Sequence, residues 1–172
     1  MSKNTNIFRK RRSIRKFKPR KIPQEIITEI LKDAMSGPSA MRRDPWEFIV
    51  IDQDQILADV ASFLPYGAML KDASCGIIVC GNIAEAHMNL LSYMLQDVSA
   101  AVENILLSAE SHDLGTCWLG VHPREERVEA ISNYFKLPPD IIPVAAIAIG
   151  FKDEIKEPET RFNQNKIHFN RF

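Results

Sequence analysis

The sequence predicts a single domain of mixed α and β class, and three observations carry that prediction. From about Met88 to Leu114 the apolar side chains Leu91, Met94, Leu95, Val98, Ala101, Val102, Ile105, Leu106 and Ala109 recur every three or four residues, the period of a helix with a broad buried face. Short apolar runs at Cys75–Cys80, Cys117–Gly120 and Val144–Ile149, bounded by glycines, have the length of buried strands. No glycine-rich turn follows the first strand-like run, so the pattern is not that of a doubly wound sheet. With 172 residues the chain supports one real core and is too short for two.

In chain order, residues 1–8 are short and polar, read as loose or laid over a neighbour. The basic segment 9–18 alternates charged and apolar positions, with Ile14 and Phe17 as anchors, and Pro19 ends it. A helix opens at Ile22–Glu25, where Pro23 suits the first turn and Glu25 the positive helix end. Ile26, Ile27, Ile30, Leu31, Ala34 and Met35 form its buried face, and Gly37 and Pro38 stop it. Residues 37–45, GPSAMRRDP, make a turn-rich loop before a strand at Trp46–Ile51. A helix over Asp54–Phe63 follows, then a loop with Pro65 and Gly67, then the strand Cys75–Cys80. The long helix spans about 20 to 25 residues, about 30 to 37 Å at 1.5 Å per residue, close to the width of a compact chain of this size. It either crosses the whole domain or shares its apolar face with another subunit. Gly115 closes it, and Cys117–Gly120 is a short strand. Glu125–Phe135 reads as a surface helix with Val128 and Ile131 turned inward, and KLPPDIIP as a rigid connector to the strand Val144–Ile149. The final 22 residues, with Pro158 and scattered aromatics, have no period and read as an arm packed on a surface or a partner.

Composition removes several function classes. Lys plus Arg and Asp plus Glu are both 22, so no overall field draws in nucleic acid. The local exception is RKRRSIRKFKPRK at 9–21, which holds nine basic side chains. Asp97 and Glu103 interrupt the longest candidate for a membrane span, and the N-terminus lacks a secretory apolar segment. Cys75, Cys80 and Cys117 follow no zinc spacing and cannot all pair, which fits a reducing cytoplasm. His87, His112, His122 and His168 lie too far apart to suggest a metal site, and there is no GxxxxGK[ST], HExxH or GxSxG. Ser13 and Ser39 have no evident acid–base partners, so nucleophilic catalysis is unsupported.

The chemistry-bearing residues suit a ligand with an anionic end and a flat one. Arg11, Arg12, Ser13 and Arg15 bring guanidinium forks and a hydroxyl together within five residues, the donor set that grips a phosphomonoester. A solvated basic patch is the alternative reading of the same residues. Pro38, Ser39 and Ala40 supply backbone amides and a small hydroxyl, and Thr116 to Gly120 a second set of backbone donors; an ordinary turn and strand would look alike.

Four segments then stand in a distinctive order: RRSIRKF at 11–17, GPSAMRRDPWEFIVI at 37–51, the Asp97-centred helix ending in AAVENILLSAESHDLGTCWLG at 120, and the late IPVAAIAIGF. Together they resemble the nitroreductase superfamily of flavin mononucleotide (FMN) enzymes, specifically its short members, over nearly the whole chain. The resemblance implies an α+β nitroreductase-like fold over residues 1–172, with a central, mostly antiparallel sheet flanked by helices. It also implies an obligate homodimer with two flavin sites at the interface, in which the C-terminal arm, 151–172, packs on the partner subunit.

Position by position, the resemblance assigns Arg11, Arg12 and Ser13 to the ribityl-phosphate end. Arg15 falls nearer the pyrimidine edge, where a fixed positive charge favours the negative charge that reduction places on the ring. Pro38, Ser39 and Ala40 would come from the opposite subunit and pass along the ring. Cys117, Trp118, Leu119 and Gly120 would line the ring near its reactive nitrogen and O4, and Arg161 would return to the phosphate. Lys166 is either an interface residue or a solvated lysine. The implied reaction is ping-pong: NADH or NADPH delivers hydride and leaves, and a nitroaromatic, quinone or similar acceptor takes its place. The chemistry is the cofactor's, so no side-chain acid or base is named, and Cys117 in an apolar strand reads as packing rather than a redox thiol. Alternatives are an FMN enzyme for an enone, a halogenated phenol or a flavin, and a flavin-binding redox sensor with little turnover. Two departures stand out. Arg42 and Asp44 replace the usual Asn and Gln and offer a possible ion pair, and the brief stretch 63–73 leaves little room for a substrate lid.

Overall fold

The computed structural model describes residues 7–172, so the expectation for residues 1–6 lies outside the described residues. The elements are α1 (Ile7–Lys10), α2 (Gln24–Ala34), β1 (Trp46–Ile51), α3 (Asp54–Phe63), β2 (Cys75–Asn82), α4 (Leu91–Ser111), β3 (Leu114–Gly120), α5 (Glu125–Phe135) and β4 (Ile141–Phe151). The four strands form one antiparallel sheet in the order β1-β2-β4-β3. Helices cover both faces, which is why β2 and β4 read as unbroken apolar runs rather than alternating ones. Cys75, Ile77, Val79, Ala145, Ile147 and Ile149 point to the layer holding α2 and α4. Ile78, Cys80, Ala146, Ala148, Cys117 and Leu119 point to the layer holding α3 and α5. No described helix is long and apolar enough to cross a membrane.

The long helix α4 has 21 residues and is buried largely by its own chain. Of the nine apolar positions read from its period, all except Leu91 and Leu95 are fully buried against the sheet and α2. Polar bonds fix α2 on it: Asn104 Nδ2 donates to Asp33 O at 3.0 Å and Ser108 Oγ to Asp33 Oδ2 at 2.5 Å.

Several boundaries differ from the sequence reading. Gly115 does not close α4; the helix ends at Ser111, Asp113 takes the left-handed turn at φ 59°, and Gly115 already lies in β3. Asp and Asn tolerate that conformation better than other non-glycine residues, a weaker sequence signal than glycine. The KLPPDIIP segment is a connector only to Asp140, because Ile141, Ile142 and Pro143 belong to β4. The register shift between Val79 and Cys80, opposite Pro143, accommodates a residue that cannot donate a ladder hydrogen bond. The short helix α1 was not legible at all, since one turn carries no period.

Candidate flavin site

The basic segment is stitched to the free edge of the sheet. Ile14 N donates to Thr116 O at 2.8 Å, giving a parallel bridge between Ser13 and Thr116, and Phe17 bridges Lys152 in the antiparallel sense. Ile14 and Phe17 are both buried, as anchors should be, while Arg15 and Lys16 stay exposed. The bridge at Thr116 also sets Ser13 beside the strand that continues into Cys117.

The chain past β4 then folds back along this segment. Asp153 N donates to Lys16 O at 3.0 Å and Glu159 N to Arg9 O at 3.1 Å. Glu154 accepts from the backbone N–H groups of Arg15 and Lys16 and pairs with Lys156 at 3.4 Å. The Arg15 N–H bond, with the Lys156 charge, holds the Glu154 carboxyl below the usual glutamate range against the opposing effect of burial. Lys156 Nζ donates to Ser13 O, and Arg12 donates to Glu157 O and pairs with Glu159 at 2.8 Å. The near part of the expected arm, 152–161, thus lies on its own chain. Every residue of 162–172 is exposed.

This return creates a cavity of about 590 Å³ lined by Arg11, Arg12, Ser13, Arg15 and, from the far end of the chain, Arg161. The four expected phosphate-side residues, Arg11, Arg12, Ser13 and Arg161, meet there, joined by Arg15, expected nearer the pyrimidine edge. Arg9, Lys156 and Thr160 add donors that sequence spacing did not single out, and Glu159 is a carboxylate on the rim already engaged by Arg12. Among the described residues the Arg11 side chain has only a long contact to Glu103, at 3.9 Å.

A second cavity, about 240 Å³, is walled by Cys117, Trp118, Leu119 and Gly120 together with Arg15, Leu64, Pro65, Tyr66 and Arg127. Arg15 lines both cavities and is their common wall. Trp118 and Tyr66 are 39% and 80% exposed, so both present aromatic surface at the mouth. Arg127 Nη1 donates to Gly120 O at 2.8 Å and fixes the end of β3, while its buried Nε has no partner among the described residues. Burial raises the Cys117 thiol pKa, only partly opposed by the Arg15 and Lys156 charges, which is the behaviour of a packing residue. Tyr66 and Arg127 escaped the sequence reading because one sits in a turn and the other on a surface helix, where such residues are ordinary.

Pro38, Ser39 and Ala40 line neither cavity of their own chain. They are fastened to α4, where Ala40 N donates to Oδ1 of the buried Asp97 at 2.9 Å; Asp97 Oδ2 has no partner among the described residues. The expected Arg42–Asp44 ion pair is absent among the described residues. Asp44 instead accepts the Ser39 hydroxyl and returns its N–H to Ser39 Oγ at 3.0 Å, because left-handed backbone at Met41, Arg42 and Asp44 closes the loop on itself. Lys166 lies exposed in a single turn, Gln164–Lys166.

An array of guanidinium and hydroxyl donors at one end, backbone and aromatic surface at the other, and one fixed cation between them is a set of groups that fits FMN. A Cβ built on Gly120 would meet nothing within 4 Å, so open space lies beside the strand. The comparisons agree. The nitroreductase family model matches residues 8–69 and 64–151. A Methanothermobacter thermautotrophicus protein, provisionally named an NADH dehydrogenase/NAD(P)H nitroreductase, is 41% identical over 162 residues, covering 94% of this chain and 84% of that protein. The solved structure of a Parabacteroides distasonis protein with the same provisional name superposes with a TM-score of 0.93 at 32% identity, covering all of both chains. A nitroreductase-like protein from Desulfovibrio desulfuricans, solved in complex with FMN, superposes with a TM-score of 0.86 at 25% identity, covering 100% of this chain and 99% of that one. With its fold, its basic cavity and these relatives in agreement, the chain belongs to the nitroreductase family of FMN-dependent oxidoreductases.

Proposed function

We propose that the protein takes electrons from NADH or NADPH and passes them, by a ping-pong mechanism, to nitroaromatics, quinones or similar small acceptors. The observation that carries this reading is the meeting of Arg11, Arg12, Ser13 and Arg161 at one cavity that joins, through Arg15, the cavity walled by Cys117–Gly120. FMN, when bound, supplies the hydride chemistry. Arg11, Ser13 and Arg161 hold its phosphate, Arg15 sets a fixed cation at the pyrimidine edge, and the backbone of 117–120 orients the ring. The relatives' names support the nicotinamide donor, and the small 64–73 segment, with Tyr66 exposed, supports an open site that accepts varied substrates. The working unit is a homodimer, with Pro38, Ser39 and Ala40 supplied to the ring by the second copy. Three buried free thiols are in keeping with a reducing compartment such as the cytoplasm.

Anaerobic mixing of the FMN-loaded protein with NADH and then NADPH tests the reading: the flavin absorbance bleaches with one donor or both, and no bleaching with either overturns it. Arg11→Ala and Arg161→Ala each weaken FMN retention by about 1.5 to 3 kcal/mol, the loss of a charge-assisted phosphate contact. Calorimetry with the apoprotein measures it, and unchanged affinity in both variants would remove the phosphate assignment.

A further inference from the structure

The first half of the basic run is absorbed by the flavin site; the second half is not. Lys16, Lys18, Arg20 and Lys21 line a groove of about 600 Å³ together with Arg15 and Lys71. Six cationic side chains there face three carboxylates, Asp54, Asp72 and Asp153. Two of the cations are engaged: Lys21 pairs with Asp54 at 2.6 Å, and the Arg20 guanidinium lies 4.1 Å over the Phe151 ring. Among the described residues Lys16, Lys18 and Lys71 enter no ion pair. Like charges held close repel one another and cost stability. A chain of zero net charge that concentrates free cations around one groove has a reason to do so, and an anionic ligand is the simplest one.

The position of the groove narrows the ligand. Arg15 lines it, the phosphate-side cavity and the ring-side cavity alike. A molecule stacking its flat end on a ring held in the ring-side cavity would run past Arg15 into the groove. The nicotinamide donors have that form, a flat reactive ring joined through two phosphates to an adenosine. NADPH adds a further phosphomonoester on the adenosine ribose, carrying a charge of about −1.5 to −2. Lysines on flexible stems act toward such a group as adjustable point charges, without the fixed geometry of an arginine fork.

We infer that the groove of Lys16, Lys18 and Lys71 beside Arg15 receives the extra ribose phosphate of NADPH and so selects NADPH over NADH. This rests on the oxidoreductase reading above. Its test is anaerobic stopped-flow reduction of the FMN-loaded protein as a function of donor concentration. NADPH half-saturates at a concentration about tenfold lower than NADH, the effect of one charge-assisted contact. Lys18→Gln and Lys71→Gln raise the half-saturating NADPH concentration several-fold, leave that of NADH and both limiting rates unchanged, and purify with full FMN. Adenosine 2′,5′-bisphosphate competes with NADPH, and adenosine 5′-monophosphate does so far more weakly. Equal use of both donors, or an NADPH response that neither variant alters, overturns the inference and leaves the oxidoreductase intact. If neither donor bleaches the flavin, the oxidoreductase reading fails, and calorimetric titration of the FMN-loaded protein with adenosine 2′,5′-bisphosphate reads the groove alone: binding weakened by Lys18→Gln supports it, and no binding sinks it.

Discussion

Gly115 and Gly150 face each other across β3 and β4, and their missing Cβ atoms are what admit the basic segment to the sheet. A Cβ on Gly115 would lie 2.7 Å from Ile14 Cβ, and one on Gly150 would lie 2.7 Å from Phe17 Cδ1. Neither glycine has a positive φ, so space and not backbone freedom is the requirement. Gly150→Ala therefore overpacks the Phe17 site at a cost of about 1 to 3 kcal/mol. Because Phe17 anchors the stretch carrying Arg11 to Arg15, the same variant also loses FMN. Gly120→Ala is the contrasting case. Its added methyl meets open protein space, so thermal stability of the apoprotein stays within about 0.5 kcal/mol while FMN affinity falls, since Gly120 walls the ring-side cavity. Denaturant titration of both apoproteins, with FMN titration alongside, separates the two; equal stability losses would refute the packing account. Sequence reading saw both framework glycines as ends of elements, because glycine at a boundary and glycine beneath a neighbouring side chain look the same in one dimension. The arginines stood out because several guanidiniums and a hydroxyl within five residues make the donor set of a phosphomonoester site, although a solvated patch reads alike in one dimension.

Elements bounded by strong punctuation came out of the sequence at the right residues. Trp46–Ile51, Asp54–Phe63 and Glu125–Phe135 each have a clear period and a proline, glycine or charged start, and the structure gives the same limits. What left no local trace depended on contacts between distant parts of the chain. The return of 152–161 along residues 9–18 is held by backbone bonds and Glu154, and neither leaves a periodic trace. Glu154 makes that return acid-sensitive. Its folded pKa lies below the unfolded value, so its stabilisation is complete above the ordinary glutamate range near about 4.3 and is lost as pH falls through the lower folded value. Acid titration followed by flavin fluorescence should show FMN release in that window, and Glu154→Gln should already bind FMN more weakly at neutral pH. A variant indistinguishable from the parent at every pH would separate Glu154 from cofactor retention. The helix α4 gives a parallel case, because Asp97 ties the 38–40 loop to it. Asp97→Ala strands the Ala40 N–H and costs about 1 to 3 kcal/mol, whereas Asp97→Asn keeps an acceptor and also relieves the unpartnered oxygen. Urea unfolding checks the order, with Asp97→Ala the less stable of the two.

A single copy of this chain accounts for its core but leaves specific surfaces without a role. The period of α4 left open whether its apolar stripe crosses the domain or partly meets another subunit; the chain's own sheet and α2 bury most of that stripe, with Leu91 and Leu95 less covered. The apolar surface left over is aperiodic. Met88, Leu90 and Leu91 stand 70%, 43% and 39% exposed at the start of α4, and Phe162, Phe169 and Phe172 are 68%, 80% and 108% exposed on the final segment. Isolated exposed apolar residues are normal, but three phenylalanines within one short terminal stretch that touches little of its own chain need a surface to cover. The loop at Pro38, Ser39 and Ala40, held firmly by Asp97 and yet remote from both cavities of its own chain, needs one as well. The proposed homodimer supplies both. Removing residues 162–172 while keeping Arg161 then separates pairing from phosphate binding within the arm. The shortened protein should sediment as a monomer or a weakened dimer and lose FMN although Arg11, Arg12, Ser13 and Arg161 all remain. A shortened protein that stays dimeric and fully loaded would assign the phenylalanines to another surface, and a stable monomer retaining FMN would show that one chain completes the site alone.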